Sequence, residues 1–156
     1  MLRDIQQAIA NVLKEDAVLR QAGVTVVVVD KGDALAVATE AVAGAGTAIL
    51  IAPPSASFAP DSSAGPVADE RGIRVAVQVV ESPVLSRAQG IPDAVTLAER
   101  IAWLLHAGNH PNRTDATLFG VVSIRPVQDP ELLVIEVTLT TTGSVEDPDA
   151  QEGSES

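Results

Sequence analysis

Two histidines, His106 and His110, stand four residues apart. On one face of a helix that spacing lets two imidazoles grip a zinc ion. Gly108 and Pro111 break the helix between and beyond them, and no third ligand is close in sequence, so the pair reads as helix-end histidines near the negative end of a helix dipole. Asp69 with Glu70, and Asp129 with Glu131, are the pairs of carboxylates that could share general acid and base roles. Both pairs fall in polar turns with no neighbouring nucleophile, where solvated acids are expected. Gly44-Ala45-Gly46 has the composition of a phosphate-binding loop but the wrong order, since it closes a helical pattern and precedes a strand. It reads as a turn. Asn112-Arg113-Thr114 matches a glycosylation sequon, which has meaning only for a secreted chain. These residues assign no catalytic, cofactor-binding or metal-binding site; the expected class is a binding or structural protein, not an enzyme.

The elements that would position any working surface are clearer. Ala94, Leu97, Ala98, Ile101, Leu104 and Leu105 recur at helical spacing, with Glu99, Arg100 and Trp103 off the stripe and Asp93 placed to cap the first turn. An opening helix is expected over Leu2 to Lys14, its apolar stripe running Leu2, Ile5, Ala8, Ile9, Val12 and Leu13, with Arg3, Gln6, Gln7 and Asn11 facing away. A short turn of helix follows and stops at Gly23. Val24 to Val29 is so continuously β-branched that it reads as a strand buried on both faces. An Ala-rich helix with Leu35, Ala38 and Val42 inward and Asp33 as a possible cap leads to a second apolar strand, Thr47 to Ala52. A crossover of that length makes the two strands parallel neighbours.

Residues 53–72, with four prolines and four serines, have no period and read as a long loop or arm. Ile73, Val75, Val77 and Val79 then alternate with Arg74, Ala76 and Gln78 as a half-buried strand. A polar loop is expected from Asn109 to Thr117. Val122 and Ile124 alternate with Ser123 and Arg125, and a turn at Gln128 to Glu131 leads to Leu133, Ile135, Val137 and Leu139. This is a hairpin whose polar side carries Ser123, Glu136, Thr138 and Thr140. Residues 143–156 hold five acids and no base, the composition of a disordered tail. The expected architecture is one α/β (α+β) domain over residues 1–142, a mixed sheet of about five strands with helices packed on it.

Composition narrows the partners. The chain has 156 residues, 21 acids against 10 bases and a net charge of -11, which disfavours a phosphate backbone as ligand. Two Phe, one Trp and no Tyr leave few rings on which bases could stack. No cysteine is present, so disulfide and thiolate chemistry are excluded. The opening residues lack the apolar run of a signal peptide, and no window approaches the roughly 18 apolar residues of a membrane span, so a soluble cytoplasmic protein is the expectation.

The opening LRDIQQAIANVLKEDAVL, the strand VAVQVVES, the helix DAVTLAERIAWLLH and the close VVSIRPVQDPELLVIEVTLTT together resemble the tail terminator (tail-completion) proteins of bacteriophages, including their Mu-like prophage branch. The resemblance spans most of residues 2–141. It implies a homo-oligomeric ring, usually a hexamer, on the head-proximal end of the tail tube. Such a ring stops tube polymerisation and offers the surface for the head-completion or neck protein, and in contractile particles touches the sheath. It implies no catalytic residue and no cofactor, assembly in the host cytoplasm and a place in the virion neck. DNA would pass through the lumen without specific binding, which suits an acidic chain. Phe58, Asp61, Arg71, Arg74, Gln78 and Arg125, on the arm and the strands beside it, are the candidate interface residues. The alternatives are another neck or minor tail connector protein, and a small-molecule-binding domain with a ferredoxin-like core.

Overall fold

The computed structural model describes residues 2–29, 34–58, 68–83, 85–86, 90–106 and 119–141. It is an α+β fold in a single domain; the described residues form a six-stranded mixed sheet with helices packed on it, four of which are numbered here. In chain order the elements are α1 (Leu2–Glu15), α2 (Ala17–Ala22), β1 (Thr25–Val28), α3 (Ala34–Ala45), β2 (Thr47–Ile51), β3 (Ser55–Phe58), β4 (Ala68–Glu81), α4 (Ala94–Leu105), β5 (Gly120–Val127) and β6 (Leu133–Thr141). The sheet runs β1-β2-β4-β6-β5, with β3 paired to β4 beside that path.

β4 organises the sheet because it is long enough to take three partners. Residues Val77 to Glu81 pair with β2, Ala68 to Arg74 with β3, and Ile73 to Glu81 with β6, all antiparallel. Its alternation sends Ile73, Val75, Val77 and Val79 to one face, where they join Ile49 and Ile51 of β2 and Ile135, Val137 and Leu139 of β6. α1 and α4 cover that face with Ile5, Ile9, Leu13, Leu97, Ile101 and Leu105, all of them buried. α4 is capped as its sequence implies, Asp93 accepting the Thr96 N–H at 2.8 Å, and Glu99 and Trp103 are exposed on its outer side.

α3 lies on the opposite face, where Ala38 packs near Val27 and Leu50. β1 and β2 are parallel neighbours joined by the α3 crossover, as expected. This adjacency departs from the split arrangement of a ferredoxin-like core, in which the two strands of each βαβ unit are separated by another strand.

Several expectations need correction. β1 is an edge strand, and of its residues only Val27 is buried; a β-branched run reports strand propensity, while an edge or central place depends on what pairs beyond it. The stretch 53–72 is not structureless, since β3 and the start of β4 pair within it, which also supplies the sixth strand. Gln6 does not face solvent. It is buried, and its Nε2 donates to Val29 O at 3.0 Å and Ile51 O at 3.2 Å, tying α1 to the ends of β1 and β2. The expected stop of α4 near Gly108 comes earlier, at Leu105. Val122 is exposed as the extra residue of a bulge between Val121 and Ser123, and Thr140, expected on a polar side, is buried. Asp33, the side chains of Leu2 and Leu35, the Asn109 to Thr117 loop and the acidic tail lie outside the described residues.

Candidate interaction surface

Among the described residues the face of the sheet turned away from α1 and α4 is only partly covered, because α3 packs on β1 and β2. The remainder, spread over β4, β6 and β5, is an open polar surface whose rows are set by strand register. Gln78 stands opposite Glu136, and Glu136 opposite Arg125. Ala76, Thr138 and Ser123 form the next row, and Arg74 with Thr140 the one after it. Opposed residues on adjacent strands share a face.

Glu136 is the hub of this surface. Gln78 Nε2 donates to its Oε2 at 3.0 Å, while Arg125 donates to Oε1 through Nη2 at 3.0 Å and Nε at 3.3 Å. The Gln78 hydrogen bond is the largest cause holding the Glu136 carboxyl below its usual range. Burial opposes it, and the hydrogen bond and charge of Arg125 add to it. Only 13% of the Glu136 side chain is exposed, against 66% for Arg125. The guanidinium therefore keeps outward-facing donors, and the pair itself adds little stability. A depression of about 330 Å³ opens here, lined by Pro53, Ser55, Arg74, Ala76, Val122, Ser123, Arg125, Glu136 and Thr138 among others.

Three of the expected interface residues, Arg74, Gln78 and Arg125, thus fall on one surface. Phe58 is exposed at the end of β3, in register with Ala68 on the arm and apart from the Glu136 hub. Asp61 and the side chain of Arg71 lie outside the described residues. Alternation along β6 puts Glu136 on the polar side, but its role as the hub is set by contacts 58 and 11 residues away in the chain.

The residues first considered for chemistry have structural uses. His106 ends α4, and its Nδ1 accepts the Val121 N–H at 3.3 Å; His110 lies outside the described residues. Asp129 accepts the N–H groups of Glu131 and Leu132, both at 2.9 Å, which closes the β5–β6 turn. Asp69 and Glu70 are in β4, but their side chains lie outside what is described, as does the Asn112 sequon. Among the described residues no three His, Cys, Asp or Glu side chains are gathered as a metal site, and no helix is long and apolar enough to cross a membrane.

A second depression, of about 400 Å³, lies between α3 and the sheet and is lined by apolar groups including Ala38, Val42, Leu50, Val80, Leu85 and Leu132. Sequence reasoning missed it. The apolar character of α3 around its whole circumference was the available signal.

No family model and no curated protein matches this chain. Its fold is similar to that of a chain in the virion of a native gene transfer agent particle. The TM-score is 0.54 and the identity 16%, over 90% of this chain and 94% of that one.

Proposed function

We propose that this chain is a structural subunit of a phage-like particle, and specifically that it forms the ring closing the head-proximal end of the tail tube. The observation that carries the reading is the fold likeness, which extends over nearly the whole of both chains and leads to a chain from a virion. The resemblance of residues 2–141 to tail terminator proteins supports the finer assignment. So does the form of the molecule. The outer sides of β1 and β5 present strand edges without partners among the described residues, and such edges are surfaces a neighbouring copy can extend. In this reading the partners are further copies of the chain, the tube protein, the head-completion protein and, where the tail contracts, the sheath. A net charge of -11 lets DNA pass a lumen without accumulating phosphate contacts.

The test is native mass measurement with negative-stain imaging, for the chain alone and with polymerising tube protein. Rings of several copies seated at one end of tubes of bounded length are expected. A chain that stays monomeric, leaves both tube ends bare and does not limit tube length would overturn the assignment. Binding to head-completion protein without tube capping would instead favour another neck or minor connector role, which the fold likeness supports equally well.

A further inference from the structure

Trp103 is the one tryptophan of the chain, and it stands on the outer side of α4, 55% exposed. Val95 and Glu99, eight and four residues before it, are exposed as well. Residues four apart are neighbours on a helix, so the three make one outward stripe with an aromatic end. The core contacts of α4 run along its other side, through Leu97, Ile101 and Leu105. A tryptophan covers roughly 150–250 Å² when buried, and it is enriched among the few side chains that carry most of the energy of a protein contact.

The opposite face of the sheet holds a seat for such a ring. The apolar depression of about 400 Å³ between α3 and the sheet is lined by Val42, Leu50, Val80, Leu85 and Leu132 among others, with Leu85 41% exposed. That volume lies within the range of sites that enclose a whole ring system. A cation stands beside it. Leu50, Gln78, Glu136 and Arg125 face one another in a single row across β2, β4, β6 and β5, so Arg125 is three strands from Leu50, roughly 14 Å at about 4.8 Å per strand. Val80 and Leu132, toward β6, bring the depression nearer to it than that. Arg125 spends Nε and one Nη on Glu136 and remains 66% exposed, so its other donors point outward. Glu99 is one helical turn from Trp103, about 6 Å along the stripe, and the long arginine and glutamate side chains close what remains when the indole is seated.

We infer that the outer stripe of α4 docks on the α3 side of the sheet of a second copy of this chain, with Trp103 in the apolar depression and Glu99 on Arg125. The stripe and its seat lie on opposite faces of one sheet, so a chain cannot satisfy itself, and the contact runs head to tail from copy to copy. Contacts of that kind close into rings when the rotation between copies permits. In a chain of net charge -11, most pairs of surfaces repel, and the Glu99–Arg125 pairing selects the register in which they attract. The inference deepens the ring reading and rests on it for closure alone.

The absence of cysteine makes the test direct. A full-length Glu99→Cys chain is mixed with an Arg125→Cys chain, alone and with polymerising tube protein, and oxidised mildly. Disulfides between the two kinds of chain are expected to exceed those within either kind, and to fall at least about tenfold when the Glu99→Cys chain also carries Trp103→Ala. Sedimentation of chains without cysteine should show association weakened to the same degree by Trp103→Ala on one face and by Val42→Trp, which fills the depression, on the other. Arg125→Gln should weaken it about threefold. Circular dichroism confirms that each variant is folded, and Leu85→Lys at the mouth of the depression replaces Val42→Trp if that variant is not. Copies that associate with no excess of the mixed disulfide, or indifferently to both Trp103→Ala and the altered depression, overturn this contact and leave the ring reading standing. The mixed disulfide in an assembly that does not cap tubes overturns the tail role and leaves the contact. Copies that associate neither alone nor on tube ends overturn both.

Discussion

Asp16 does more for this fold than its place in a short turn suggests. As the residue before α2 it accepts the Leu19 N–H at 3.1 Å, and it also receives the Arg100 guanidinium, Nη2 to Oδ1 at 2.7 Å and Nε to Oδ2 at 3.3 Å. One carboxylate thus caps a helix and joins the α1–α2 corner to α4, 84 residues away. The Arg100 hydrogen bond is the main cause holding its carboxyl below the usual range, with burial opposing and the Leu19 N–H assisting. A depressed acid contributes stability that is present above its unfolded value, near 3.9, and is lost as the pH falls through the folded value. Asp16→Ala should therefore lower stability at pH 7 by about 2–3 kcal/mol. In urea unfolding the gap to the unmodified chain should narrow below about pH 4. Parallel stability curves for the two proteins across that range would mean the ion pair contributes nothing. Glu81 follows the opposite sign. It is buried at the end of β4, and desolvation is the main cause raising its carboxyl, with the nearby Asp93 charge adding and the Ala94 N–H and Ser86 hydroxyl opposing. Its contribution becomes more favourable as the pH falls.

At the scale of elements, one residue sets how α3 hands over to β2. Gly46 follows the last turn of α3 with φ at +89°, and its carbonyl accepts the Ser82 N–H at 2.7 Å. A Cβ there would lie 2.3 Å from the Ser86 nitrogen and 2.7 Å from the Leu85 carbonyl carbon, both backbone atoms that cannot swing aside. Gly23 has nearly the same backbone, φ +72°, in open space. Gly46→Ala should cost about 3 kcal/mol or more, and Gly23→Ala about 1–2 kcal/mol, by chemical denaturation of the two variants. Equal losses would show that close approach is not what Gly46 serves. The same comparison shows how much could be read beforehand. Both glycines were recognisable as helix stops from position alone, and α4 from its period, because these signals are local. The contact that makes Gly46 demanding comes from residues some forty positions later. β3 was invisible for a related reason: SASF has no pattern of its own and becomes a strand by lying beside β4. Gln6 looked like a surface glutamine because polarity was its only local signal, and its carbonyl partners come from β1 and β2. Arg74, Gln78 and Arg125 were legible as one polar side of alternating strands, while their gathering around Glu136 depends on the register of three strands.

For the whole molecule, the covering of the sheet is unequal, and that inequality is what a partner would meet. Among the described residues one face is sealed by α1 and α4, and the other is covered by α3 over β1 and β2 alone. β5 closes the sheet on the far side as an outer strand, and its bulge turns Val122 toward the open face, 54% exposed and lining the same depression as Arg74 and Arg125. At that exposure it is a surface site among the described residues, so replacing it should cost little. A bulge also twists an edge and limits casual strand pairing, which restricts this border to a neighbour shaped for it. Val122→Lys places a charge beside two arginines on that border. We expect an unfolding free energy within about 0.5 kcal/mol of the unmodified chain, the usual range for a surface site, together with loss of ring formation and of tube capping in the imaging assay. A variant that folds normally and still forms rings would move the contact between copies away from β5, toward the β1 edge or the arm built by β3 and β4. A variant that fails to fold would show that the bulge serves the hairpin itself, and the border would then have to be probed at Ile124, which is 42% exposed on the same strand.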